Sequence, residues 1–286
     1  MKYGITMFPT DYSIRPGELA AAVEQRGFES LWVPEHSHLP VSDMTPGRDT
    51  PGLPNMYYEV VDPFVALSMA AEATRTLLLG TSICLVVQRD PIQLAKQVAS
   101  LDALSGGRFL FGVGAGWNPL EMANHGTAFA GRLSVMRERI EAMKAIWTEE
   151  KAEYHGKHVD FGPMYAWPKP CQKPHPPIHV AGSPPKVLKR VVAYGDGWIP
   201  LMGDDPLSYL PALHQLAVQA GRNPDAIEIT VHMCPPEEDT VRRLADGGVH
   251  RIVFLIEPEP REAALRALDG LAQLRTRCKA TGGVGS

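Results

Sequence analysis

Two patterns of apolar and polar positions take turns along this chain. Short, near-continuous apolar runs at 3–8, 28–33, 77–87, 108–113, 178–181, 197–202, 227–232 and 249–256 read as strands covered on both faces. Between them, apolar residues recur at helical spacing over 16–27, from 62 onward, 91–104, 133–147, 185–194, 207–221, 237–247 and 259–274. Punctuation agrees with the periodicity. Pro16 opens the first helix and Gly27 lies past its end, while Asp62-Pro63 supplies an N-cap followed by a proline at the first helical position. Strand and helix alternate about eight times without a break in composition, which predicts an α/β fold, a (β/α)8 TIM barrel. A doubly wound open sheet also alternates, but rarely through so many units without a domain break. We expect one domain over residues 1–286, with insertions after strands 2 and 4 and before strand 5. The first insertion, 39–61, is rich in Pro, Gly, Asp and Asn and carries Tyr57-Tyr58; the second is 117–131, and the third, 149–177, is irregular and Pro-rich. The tail, 276–286, is expected to fray.

Composition narrows the function. The 286 residues are 44% hydrophobic, enough for one large core, and the formal net charge is -4. No basic stripe with interleaved aromatics is present, so nucleic acid is not an expected partner. No apolar run is long enough to cross a membrane, and no signal-peptide pattern opens the chain. The four cysteines, Cys84, Cys171, Cys234 and Cys278, are far apart and form no C-x-x-C pair. Reduced thiols in a cytoplasmic protein are the expectation.

In a barrel, chemistry gathers where strands end and helices begin, and the unusual sequence falls there. The strand at 108–113 runs into Gly112, Gly114 and Gly116, spaced two apart, which lets backbone approach a flat ligand or turn with positive φ. A dinucleotide fingerprint needs G-x-G-x-x-G entering a helix. Here Trp117 stands where the last Gly belongs, and the next convincing helix starts near Leu133. Glu35-His36-Ser37-His38 ends the second strand. His36 can exchange a proton near neutral pH or donate to a developing anion, with Glu35 as a structural partner. His36 and His38 also suggest the H-x-H of barrel metallohydrolases, but that pair belongs after the first strand and needs further ligands. His179 lies inside a strand, and His232 has no obvious partner. Metal is therefore not expected. Gly182-Ser183-Pro184 precedes a helix, where amides and the helix dipole favour an anion such as phosphate, or where Ser183 simply caps the helix. Lys186, Lys189 and Arg190 extend that anion site or form a solvated face. Thr81-Ser82-Ile83 puts hydroxyls inside an aliphatic run, so they must bond locally or face a ligand.

Taken together, WVPEH at Trp32–His36, DPF at Asp62, LGTSICLV at Leu79, the run Arg89–Asn118, the run Trp167–Gly182 and GDGWIPL at Gly195 resemble the luciferase-like monooxygenase superfamily, in its deazaflavin (F420)-dependent oxidoreductase branch. The resemblance spans nearly the whole chain. It implies a barrel mouth holding a flavin-type ring, with Gly182 and Ser183 binding the cofactor phosphate and Gly114, Ala115 and Gly116 beside the ring or its ribityl chain. It implies a non-prolyl cis peptide bulge at Ser82-Ile83 bracing the ring, and His36 next to the ring's reacting part. Trp117 stands where the family's sugar-phosphate dehydrogenases carry a Glu proton donor, which argues against that reaction and for an apolar or aromatic substrate wall. The expected activity is hydride transfer between F420 and a small organic substrate, with His36 catalytic, the 39–61 loop closing through Tyr57 and Tyr58, and a homodimer as assembly. The alternatives are an FMN-dependent monooxygenase and a barrel that binds flavin without turnover.

Overall fold

The computed structural model describes residues 1–41 and 53–280. Its strands are β1 (Lys2–Thr6), β2 (Ser30–Val33), β3 (Leu78–Thr81), β4 (Cys84–Leu85), β5 (Phe109–Gly114), β6 (Ala152–His155), β7 (Asp160–Met164), β8 (Ile178–Ala181), β9 (Gly197–Ile199), β10 (Glu228–His232) and β11 (Arg251–Leu255). β1 pairs in parallel with β2 and with β11, and β3 pairs with β5, so the sheet closes on itself through β8, β9 and β10. The result is the expected eight-stranded parallel barrel ringed by helices.

Two apolar layers follow from the period of two in each strand. In β5, Phe109, Phe111 and Val113 join the large outer core between barrel and helices. Leu110 points the other way, into a small inner cluster with Trp32, Ile199 and Val253. The inner space is shared between large and absent side chains. A Cβ on Gly80 would lie 2.2 Å from Cε3 of Trp32, so glycine there is what admits the indole.

The caps predicted from sequence are present. Asp62 Oδ1 accepts from the amides of Phe64 and Val65 at 2.8 and 3.1 Å, opening Pro63–Ala73. Gly106, at φ 73°, ends Pro91–Ser105. Four expectations need correction. The apolar run 77–87 is not one strand: β3 stops at Thr81, the chain bulges at Ser82-Ile83, β4 resumes pairing beside Val113 and Gly114, and a 3-10 turn follows at Val86–Gln88. The stretch after Trp117 contains a short helix, Pro119–Asn124. The Pro-rich insertion before the fifth barrel strand folds into an antiparallel hairpin, β6 with β7. The last helix runs Arg261–Ala280, so the start of the tail is helical and residues 281–286 lie outside the described residues. Residues 42–52 of the first insertion also lie outside them. Among the described residues no helix is long and apolar enough to cross a membrane.

Candidate active site

The Glu35-His36-Ser37-His38 stretch follows β2 at the barrel mouth, and its four side chains part company. Glu35 turns inward and is buried. Its Oε2 accepts from the amide of Leu85 at 2.7 Å, and its Oε1 accepts from Arg89 Nε at 2.5 Å. Arg89 in turn reaches Asp62 Oδ2 at 2.6 Å. Glu35 is thus the brace that ties β4, resumed after the bulge, to two helix starts. Ser37 and His38 turn toward the end of Pro119–Asn124: Ser37 Oγ lies 2.7 Å from His125 Nε2, and His38 Nε2 lies 2.8 Å from Asn124 Nδ2. His36 and His38 therefore serve different partners, and among the described residues no group of three or more His, Cys, Asp or Glu side chains is arranged to hold a metal ion.

His36 meets a residue that the sequence reading missed. Its Nδ1 lies 3.0 Å from Oε2 of Glu121, and both side chains are largely withdrawn from solvent, at 7% and 1% exposure. The backbone amide of Ser37 donates to the other oxygen, Oε1, at 3.3 Å. A carboxylate that accepts both bonds leaves the hydrogen on Nδ1, so Nε2 is the nitrogen available to hold or release a proton. Glu121 is delivered by the short helix. Asn118 caps it by accepting from the amides of Leu120 and Glu121, and Pro119 fixes the first turn. The signal was in the sequence. Asn118-Pro119 repeats the cap-then-proline pattern of Asp62-Pro63, and it would have put a carboxylate one turn beyond the glycines. Trp117 stands edge-on to His36 at 5.8 Å between ring centroids, and Tyr57 lies 5.5 Å from it. Tyr57 also packs on Phe8 at 5.0 Å, whereas Tyr58 is half exposed and makes no ring contact among the described residues.

The glycines after β5 are engaged by the bulge. A Cβ on Gly112 would lie 1.9 Å from the carbonyl oxygen of Thr81, and one on Gly114 would lie 2.1 Å from Cδ1 of Ile83. Gly114 therefore first makes room for Ile83, and it is Ile83 that keeps surface at the mouth. Ala115 is buried, and Gly116 turns the chain at φ 72°. The Ser82-Ile83 peptide is cis, as the resemblance implied. Thr81 and Ser82 divide the two roles left open for them. Thr81 Oγ1 donates locally to the carbonyl of Gly112 at 2.7 Å. Ser82 Oγ lies 2.8 Å from Nδ1 of His232, the partner that sequence did not show.

Across the mouth, Gly182 ends β8 at φ 150°, and Ser183 is exposed. Ser183 does not cap the helix Lys186–Tyr194 with its side chain; the cap position is Pro185. Arg190 reaches back along that helix, and a Cβ on Gly182 would lie 3.0 Å from its Nη2. Arg132, at the start of Arg132–Thr148, stacks its guanidinium 3.6 Å over the ring of Phe129. Burial, and then the positive charge of Arg190, hold Arg132 below its ordinary value. The Nε atoms of both arginines are buried and have no hydrogen-bond partner among the described residues. Arg132 and Arg190 are thus neighbouring cations, each donating Nη1 to a backbone carbonyl but leaving Nε unpartnered, with no ion-paired carboxylate among the described residues. Sequence had marked Arg190 as a possible extension of the anion site; nothing marked Arg132.

A family model described as luciferase-like monooxygenase matches residues 15–247. An uncharacterized protein of Mycobacterium tuberculosis is 37% identical over 285 residues, covering 97% of this chain and 100% of that protein. The F420-dependent hydroxymycolic acid dehydrogenase of the same species is 29% identical over 212 residues, 73% of this chain and 55% of that one. Among solved structures, the monooxygenase RslO1 from Streptomyces bottropensis matches with a TM-score of 0.78 at 22% identity, over 97% of this chain and 99% of that one.

Proposed function

The chain belongs to the luciferase-like monooxygenase family of oxidoreductases, and from that premise we propose that it moves a hydride between coenzyme F420 and a small organic substrate. The observation that carries the reading is the pairing, at one barrel mouth, of a proton-handling imidazole with a cationic shelf. His36 is held by Glu121, Arg190 stands beside Gly182 with Arg132 as its neighbour, and the Nε of each arginine has no partner among the described residues. A ring with an anionic tail fits that donor set: Ile83 at the bulge offers an apolar contact for a ring, while Gly182, Ser183, Arg190 and Arg132 would hold the phosphate. The reduced or oxidised deazaflavin supplies the hydride chemistry when bound. The protein's part is orientation, charge and proton handling. His36 Nε2 holds or accepts the proton that balances hydride movement at the substrate, and Glu121 keeps the imidazole oriented. Trp117 and Tyr57 line that imidazole with aromatic surface, which suits an apolar substrate. The same reading includes a homodimer, to be measured by sedimentation.

A second reading has support. The family model that matches the chain is described as luciferase-like monooxygenase, so FMN with oxygen is the competing chemistry for the same donor set. Titrating F420 and FMN side by side, followed by fluorescence quenching, separates them. Tight binding of F420 with no oxygen uptake supports the proposal. Oxygen consumption with reduced FMN transfers the site to the second reading, and binding of neither ends both.

A further inference from the structure

Below the bulge lies a side chain that neither the His36 pair nor the anion shelf uses. His232 is the last residue of β10, and its Nδ1 lies 2.8 Å from Ser82 Oγ. Its ring stands edge-on to the buried indole of Trp32, with centroids 4.8 Å apart at 86°. Met233, the next residue, takes φ 51°, a left-handed conformation uncommon outside glycine. The chain turns directly after His232, while the amide of Cys234 still donates to the carbonyl of Val253 in β11 at 3.0 Å.

The hydrogen of that imidazole can be assigned. Burial, and then the positive charge of Arg251, push His232 down to about 3, so at neutral pH the ring is uncharged and carries one hydrogen. Nε2 is buried and has no hydrogen-bond partner among the described residues. A buried N–H without an acceptor is costlier and rarer than a bare acceptor nitrogen. The hydrogen accordingly belongs on Nδ1, where it is donated to Ser82 Oγ. The Ser82 hydroxyl then keeps its own hydrogen for a second acceptor, and Ser82, next to Ile83, is only partly buried.

We propose that His232 is a positioning residue, which acts through Ser82 by directing that hydroxyl's hydrogen at a carbonyl oxygen or ring nitrogen of the cofactor seated against Ile83. The inference rests on the ring-binding reading above and adds to it a named donor and the group that aims it. His232 touches no substrate in this scheme. Its effect passes through one hydroxyl, so removing either partner removes the same interaction.

The experiment is a double-mutant cycle on whichever of F420 and FMN the wild type binds, using Ser82→Ala, His232→Ala, His232→Asn and the Ser82→Ala/His232→Ala double variant. Binding is read by fluorescence quenching and by the shift of the ring's absorption maximum on binding. Each alanine variant should weaken binding by about three- to tenfold, the net worth of one hydrogen bond. The double variant should be no weaker than either single one. His232→Asn keeps a donor near the Nδ1 position and should restore both affinity and spectral shift, which a merely space-filling role would not do. If His232→Ala fails to fold by circular dichroism, Ser82→Ala and His232→Asn still carry the comparison. Nitrogen-15 NMR of the ligand-free wild type should show His232 protonated on Nδ1. Additive losses in the double variant, no rescue by asparagine, or an Nε2–H tautomer would each overturn the inference. A wild type that binds neither cofactor overturns the ring-binding reading itself, and this inference with it. A wild type that binds while all variants bind equally overturns only the role of His232.

Discussion

The two ends of this barrel treat the same side chain in opposite ways. At the end where strands begin, Arg251 is completely buried, and each of its three guanidinium nitrogens has a partner. Nε and Nη2 donate to the two oxygens of Glu29 at 2.6 and 2.9 Å, and Nη1 donates to Glu228 at 2.9 Å and to Thr230 at 3.0 Å. Burial works against the charge, but these bonded carboxylates outweigh it and hold Arg251 above its ordinary value. At the end where strands finish, Arg132 and Arg190 have buried Nε atoms with no partner among the described residues, and Arg132 is held below its ordinary value. A closed cationic site stabilises the fold; an open one leaves donors for the anion proposed above. The contrast separates charges satisfied within the fold from charges that the proposed cofactor would satisfy, in keeping with the division of labour between the two faces of such barrels.

The sharpest way to break that comparison is His36→Ala. Loss of a positioned proton-transfer group costs about 10²- to 10⁴-fold in turnover. Cofactor affinity should stay within about threefold, while the urea midpoint should fall modestly, because the buried Glu121 carboxylate keeps only the Ser37 amide of its two partners. Loss of turnover with binding retained also excludes a barrel that merely stores flavin. Unchanged turnover would remove His36 from the chemistry.

Arg251→Ala tests the opposite end. It leaves the Glu29 and Glu228 carboxylates, whose side chains are 25% and 29% exposed, without their buried cation. Breaking such a pair costs about 3–5 kcal/mol, and this partial exposure points to the lower figure. The measurement is urea unfolding alongside cofactor titration. Stability should fall while the affinity of the remaining folded protein holds. A variant as stable as the parent, or one weakened only in binding, would erase the distinction between the ends.

Arg190→Ala should do the converse. A charge-assisted bond contributes about 1.5–3 kcal/mol, so a phosphorylated cofactor should bind at least about tenfold more weakly while the urea midpoint stays put. Riboflavin, which lacks the phosphate, serves as the control and should bind both proteins alike. Equal losses for both ligands would show that Arg190 supports the pocket wall rather than an anion.

How much of this was legible in the sequence differs between the ends for a physical reason. The barrel was legible because each strand and helix announces itself locally, as Asp62-Pro63 and Gly106 do through their caps. The break at Ser82-Ile83 was legible through the family resemblance but not through periodicity, because β4 and the 3-10 turn after it are as apolar as β3, so hydrophobicity runs on where pairing stops. The hairpin of β6 and β7 is largely exposed and shows no sustained alternation. His36 and Gly182-Ser183 could be picked out because residue type and strand-end position coincide. Glu121, Arg132 and the His232–Ser82 bond could not, because each depends on which side chains from distant segments meet: His36 and Glu121 lie 85 residues apart, and Ser82 and His232 lie 150 apart. Of these, only Glu121 left a local trace, through its Asn-Pro helix start.

The smallest effect, over any one pH unit, separates the barrel's interior from its floor. His179 is pushed down to about 4 and His232 to about 3, in both cases by burial first and then by the charge of Arg251. The folded state holds both rings neutral, while the unfolded chain takes up protons near 6.5. Stability from this source is therefore complete above about pH 6.5 and declines as pH falls, to about 4 for His179 and about 3 for His232, by roughly 1 kcal/mol per pH unit for each histidine. Glu228 behaves differently. Burial raises it, but Arg251 and Lys2 more than reverse this and bring it to about 2, so its contribution is lost only as pH falls from about 4.5 toward 2. Urea unfolding across pH 3 to 8 resolves the two windows. His179→Leu should flatten the limb between pH 6.5 and 4 by one proton's worth of slope and leave the lower limb alone. Glu228→Gln should flatten only the lower limb. An identical acid profile in both variants would mean that interior and floor titrate as one unit, and the separation drawn between them would fail.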